Sequence, residues 1–148
     1  MATPAMAIDW QVDLSYPEPE PGHQVIDGRQ AELNAELARA RSIAGKVVDE
    51  ELAYSEETLA RAVAFLKIHG DWLWKTCGIA VPVPMIGPGP NASVDLFWRR
   101  SSGKLLVNIP AAPDALATFY GDDFGVQKAK GTIEPTKVSM NVVACLMA

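Results

Sequence analysis

The chain has little of what most enzymes bring to a reaction: two histidines and two cysteines in 148 residues. Neither Cys77 nor Cys145 has a cysteine or histidine at metal-ligand spacing, which leaves out a zinc site and a disulfide framework. Two buried thiols in a reducing compartment are expected instead. His69 and Cys77 would stand about 12 Å apart on a continuous helix, too far for a nucleophile–base dyad. No serine occupies a G-x-S-x-G elbow, and no phosphate or dinucleotide glycine loop occurs. Basic charge is short as well. Thirteen Lys and Arg stand against eighteen Asp and Glu, a net charge of -5. Nucleic acid is therefore not the expected direct ligand. Apolar runs fall short of the ~18 residues of a membrane span, and MATPAMAIDW lacks the make-up of a signal peptide. A soluble, cytoplasmic protein with no membrane contact and no cofactor is the expectation. The C-terminal Cys145-Leu146-Met147-Ala148 fits a prenylation box, but no polybasic stretch accompanies it.

About half of the residues are apolar, enough for one domain with a real core. Residues 1–26 form a separate zone. YPEPEPG (16–22) excludes helix and central strand, so this zone reads as an extended, proline-rich arm. Ahead of it Ile8, Trp10, Val12 and Leu14 alternate with polar residues. Water disfavours an exposed Trp10, so the arm is expected to dock, on its own domain or on a partner. Residues 27–148 read as a single domain. Asp27 and Gln30 have capping-box spacing, and Leu33, Leu37, Ala40, Ala44 and Val47 form one stripe of a helix over about 28–48. After a polar connection at 49–54, Ser55 caps a second helix over about 55–77, stopped by Gly78.

IAVPVPMIGPGPNA (79–92) reads as a stiff crossover. Short alternating segments follow between 93 and 134, with turn residues at Arg100–Gly103 and around Gly121–Gly125. A short helix over about 137–147 closes the chain. The fold class is α+β: an N-terminal αα-hairpin packed on a three- to four-stranded antiparallel meander, with a short C-terminal helix.

Two groups of residues invite a functional reading. The first is GDD at 121–123. With Asp95, the pair Asp122 and Asp123 could form a hard-cation site for a metal-dependent hydrolase or a nucleotide-binding enzyme. The plainer reading is turn chemistry, since Gly and Asp tolerate positive φ and bond their own backbone. A nuclease of the PD-(D/E)xK kind is excluded, because no acid lies two places before Lys128 or Lys130. The second group is aromatic: Trp10, Trp72, Trp74, Phe97 and Trp98 are more than one small core needs. Trp72 and Trp74 point to different helix faces, Phe97 and Trp98 to opposite sheet faces. With Lys128 and Lys130 on one strand face, they make up the candidate contact residues.

IGPGPNASVDLFW (86–98), LLVNIP (105–110), ATFYGDD (117–123) and KGT (130–132) occur in order. On these blocks residues 79–133 resemble a set of uncharacterised small bacterial and mobile-element proteins. The resemblance covers a little over a third of the chain. It implies an α+β fold with this hairpin order, and no activity or catalytic residue. Where that pattern has the glycine of a P-x-G-S turn, this chain has Ala92. The function expected is therefore a non-catalytic binding or accessory protein. It would act through a partner protein or a homo-oligomer, in a setting such as a mobile-element or defence system.

Overall fold

The computed structural model describes residues 24–123 and 128–147. Residues 1–23, with Trp10 and all the prolines of the arm, lie outside the described residues, whereas residues 24–26, expected to be extended, belong to the first helix. Among the described residues the architecture is α+β, with three helices and a five-stranded antiparallel sheet, one or two strands more than the sequence led us to expect.

Helix α1 spans Gln24–Ile43. It begins ahead of Asp27, so Asp27 sits inside the helix and is not its cap. Gln30 instead donates forward to Asn34, 3.0 Å away. The helix also stops short of residue 48. Gly45 turns left-handed at φ 76° and donates to Tyr54 O at 2.9 Å, while the Tyr54 hydroxyl donates to Ala40 O at 2.7 Å. These bonds occupy the groups on which a longer helix would depend. Val47 and Val48 leave as strand β1 (Val47–Val48) and pair with β2 (Glu51–Leu52). The connection expected at 49–54 is thus half of a small ribbon that interrupts the αα-hairpin. Its two-residue turn holds Asp49 and Glu50 at φ 50° and 69°, the sign that the right-handed twist of a tight hairpin selects.

Helix α2 spans Glu56–Cys77. The Ser55 side chain accepts from Thr58 N at 3.1 Å, and Gly78 ends the helix in a left-handed conformation. The crossover expected at 79–92 contains a strand, β3 (Met85–Pro88), paired with β4 (Val94–Arg100). Proline suits this place because β3 is an edge strand, where no ladder bond is demanded of its missing N–H. The outward N–H of Ile86 donates to Glu36 Oε2 at 2.7 Å, and the Arg39 guanidinium donates to the Ile86 carbonyl. Glu36 and Arg39 are paired at 2.7 Å. Helix α1 thereby closes one sheet edge with side chains in place of a strand. The Arg39 bond is also the main reason that the Glu36 carboxyl is held below its ordinary range.

Strands β5 (Gly103–Ile109), β6 (Ala117–Asp122) and β7 (Lys128–Ile133) complete the sheet, in the spatial order β3-β4-β5-β6-β7. Period two sends Val94, Leu96, Trp98, Leu105, Val107, Ile109, Ala117, Phe119 and Ile133 to one face. There they share a core with Leu33 and Leu37 of α1, Leu59, Phe65, Leu66 and Leu73 of α2, and Val142, Val143 and Leu146 of α3 (Met140–Met147). Helix α3 docks closely because β6 carries no side chain at Gly121. A Cβ there would lie 2.6 Å from Cys145 Sγ. Arg100 donates to the carbonyls of Cys145 and Leu146 at 2.9 and 2.6 Å, placing a cation at the helix C-terminus.

Candidate binding surface

All three helices contribute to the core on one side of the sheet. The register determines what the other side presents. Met85 pairs with Phe97, Phe97 with Leu106, Leu106 with Tyr120, and Tyr120 with Lys130. These five residues therefore form one row across all five strands, about 19 Å long at ~4.8 Å per strand. Met85 is 65% exposed, and Phe97, Leu106 and Tyr120 are half-buried without belonging to the core cluster. A second row runs beside the first: Arg99, Lys104, Asp122 and Lys128. On the other flank lie Asp95, Asn108, Thr118 and Thr132. The face thus has an apolar, aromatic middle, a charged flank with three cations, and a polar flank.

Several candidates come together here. Phe97 and Lys130 lie in the central row and Lys128 in the charged one. Trp98 takes the opposite face, is only 3% exposed, and donates from its indole N–H to Pro82 O at 2.8 Å. It is a core residue and presents no contact surface. Trp72 packs against the core from α2, and Trp74 stands half-buried on the same helix. Tyr120, Leu106 and Met85 were missed. The alternation of each strand was legible, but the cross-strand register that gathers these residues is not. The available signal was the Arg100–Gly103 turn, which fixes the pairing of Phe97 with Leu106.

The turn expected around Gly121–Gly125 falls partly outside the described residues: Asp123 is a bend at the end of β6, and residues 124–127 are not described. Gly121 and Asp122 are the last residues of β6, paired with Ala129 and Lys128. The glycine makes room for Cys145. Asp122 accepts from the Tyr120 hydroxyl at 3.2 Å and stands in register between Lys104 and Lys128. Asp95 lies elsewhere, four residues along β4 from Arg99, which is two strands from Asp122. By strand geometry the two carboxylates are roughly 16 Å apart, whereas ligands of one cation must converge on a point ~2.5 Å from each. Among the described residues no group of three or more His, Cys, Asp or Glu could hold a metal ion. Asp95 has a structural role. Its Oδ1 accepts from Asn108 Nδ2 at 2.8 Å, and the same amide donates to Ser93 Oγ at 2.7 Å. Ser93 Oγ in turn donates to Pro90 O at 2.6 Å. This knot tightens the GPGPNAS loop around Gly89, where a Cβ would lie within 2.7 Å of all three side chains.

A cleft of about 250 Å³ opens between α3 and the ends of β5–β7, lined among others by Arg100, Lys104, Asp122, Asn141 and Cys145. Burial pushes the Cys145 thiol up, only partly opposed by Arg100, which makes it a poor nucleophile at neutral pH. His69 is 1% exposed and bonded at both nitrogens: Nδ1 lies 2.9 Å from Phe65 O, and Nε2 accepts from Ser139 N at 3.0 Å. It joins α2 to the start of α3 and has no free nitrogen for catalysis. No family model, curated protein or solved structure matches this chain.

Proposed function

We propose that this protein is a non-catalytic binding or accessory protein of the cytoplasm whose contact surface is the second face of its sheet. One observation carries the reading: Met85, Phe97, Leu106 and Tyr120 run side by side across four strands, outside the core that all three helices share. An apolar centre with a polar, charged rim is the layout of a protein–protein contact, and aromatic and arginine side chains dominate the energetics of such contacts. The Tyr120–Asp122 hydrogen bond restricts the phenol before any partner arrives, which lowers the ordering cost of binding. The surface fits an apolar protein segment with an acidic margin. The resemblance of residues 79–133 to mobile-element proteins supplies the setting, an accessory subunit or inhibitor in a mobile-element or defence system.

Affinity capture from extracts of the native cell tests the reading. Wild type is compared with Phe97→Ser and Tyr120→Ser, each checked by far-ultraviolet circular dichroism for an intact fold. Both variants are expected to lose the partner that wild type retains. Retention of the same protein by all three would sink the proposal.

A further inference from the structure

We infer that the open sheet face binds a second copy of this chain, laid face to face about a two-fold axis that runs close along the row from Met85 to Lys130. The inference rests on the reading of that face as the contact surface and names its partner.

The order of side chains along the strands carries it. On β4 the open face shows Asp95, Phe97 and Arg99, an acid, an aromatic ring and a base at every second residue. A two-fold contact sets residue i over residue j and j over i. An axis along the row lays each strand antiparallel over its own copy. Phe97 then meets Phe97, while Arg99 meets Asp95 of the other copy, and this ion pair forms twice. The register extends the exchange across the sheet: Lys104 falls over Asn108, Asp122 over Thr118 and Lys128 over Thr132. A flank with three cations and one acid thus covers a flank with one acid and no cation. An axis along the strands would instead set Arg99, Lys104 and Lys128 over their own copies, which like-charge repulsion disfavours.

Asp95 is prepared for this exchange. Asn108 holds its Oδ1 at 2.8 Å, which orients the carboxylate. Among the described residues Oδ2 has no hydrogen bond, so it is left to accept from a guanidinium.

Size sets the strength of the contact. With the width of the side chains, the three rows cover roughly 24 by 20 Å. Two copies then hide about 1,000 Å², the lower limit for a specific interface, which makes the dimer a weak and exchanging one. Stacked sheets pack about 30° off parallel, so the two rows cross near Leu106 and their Lys130 ends diverge into solvent. Salt screens the like charges there.

Sedimentation equilibrium of the purified full chain, from about 1 µM to about 1 mM, should show monomer and dimer in exchange. Tyr120→Ser, checked for its fold by circular dichroism, should raise the dissociation constant about thirtyfold or more. Arg99→Asp sets acid over acid and Asp95→Arg sets base over base, so each alone should be monomeric. Mixed in equal amounts they should form a heterodimer, because each copy offers the charge that the other lacks. Asp95→Arg also breaks the bond to Asn108, so a variant outside that knot accompanies it. Thr132→Glu, exposed on β7 and set over Lys128 of the other copy, should tighten the dimer severalfold. Three results each overturn the inference: monomers over the whole range, a dimer indifferent to Tyr120→Ser, and a Thr132→Glu dimer no tighter than wild type. Two folded charge variants that stay monomeric when mixed overturn it as well. A monomeric wild type that still captures a different protein, and loses it in Tyr120→Ser, overturns the second copy and leaves the contact face intact.

Discussion

Single residues in this protein often do work that their type does not announce. GDD has the composition of a metal or turn motif, yet Gly121 is there for what its missing side chain permits. Gly121→Ala should destabilise the fold by about 1–2 kcal/mol, the range for overpacking a close contact. Most of that loss should disappear in a Cys145→Ala background, because Sγ is the atom that the new Cβ would meet. A double-mutant cycle by urea denaturation checks this, and additive effects would contradict it. Ala92 is the opposite case. It holds φ 59° after Asn91 at φ 57°, in a turn closed by Ser93 N donating to Pro90 O at 3.2 Å. A side chain in this region costs about 1 kcal/mol or more. Ala92→Gly should therefore raise the thermal midpoint, the relief of strain outweighing the added freedom of the unfolded chain. The turn-forming make-up of the GPGPNAS loop was visible in the sequence; the sign of the φ at Ala92 was not.

At the scale of elements, helix ends were legible where a side chain or a glycine fixes them, as Ser55 and Gly78 do for α2. They were not legible where tertiary bonds intervene, as Tyr54 does beyond α1. Strand β3 was hidden by its prolines, which read as a breaker until the edge position and the Glu36–Arg39 cover explain them. Helix α3 depends on a contact of the same tertiary kind. Burial holds the His69 pKa below its ordinary 6.5, opposed by the bond to Phe65 O. The neutral ring must accept from Ser139 N, so protonation would turn an acceptor into a second donor. The folded state thus binds fewer protons than the unfolded state below about pH 6.5, and stability falls as pH drops from there towards the folded-state pKa. Thermal midpoints between pH 8 and 5 should decline for wild type. The decline should be shallower for His69→Gln, in which this titration is absent; parallel curves would contradict the latch.

The whole molecule has one organising asymmetry. Three helices share a core on one side of a five-stranded sheet, and the other side carries an aromatic row edged with cations on a chain of net charge -5. The α+β class and the alternation within single strands followed from residue order and spacing. The face itself did not, because it exists only once register aligns Met85, Phe97, Leu106 and Tyr120 from four separate strands. Phe97, Lys128 and Lys130 were singled out among aromatics and lysines that turned out to serve different ends, Trp98 in the core among them. Among the described residues no helix is long and apolar enough to cross a membrane.

The direct measurement is the affinity of the captured partner for purified wild type, Tyr120→Ser and Trp74→Ser. The first variant alters the open face; the second alters an aromatic residue on α2. Loss of a central aromatic anchor costs about 2 kcal/mol or more, roughly a thirtyfold rise in Kd. The account predicts that rise for Tyr120→Ser and an unchanged Kd for Trp74→Ser. The reverse pattern would move the contact surface to the helices and contradict it.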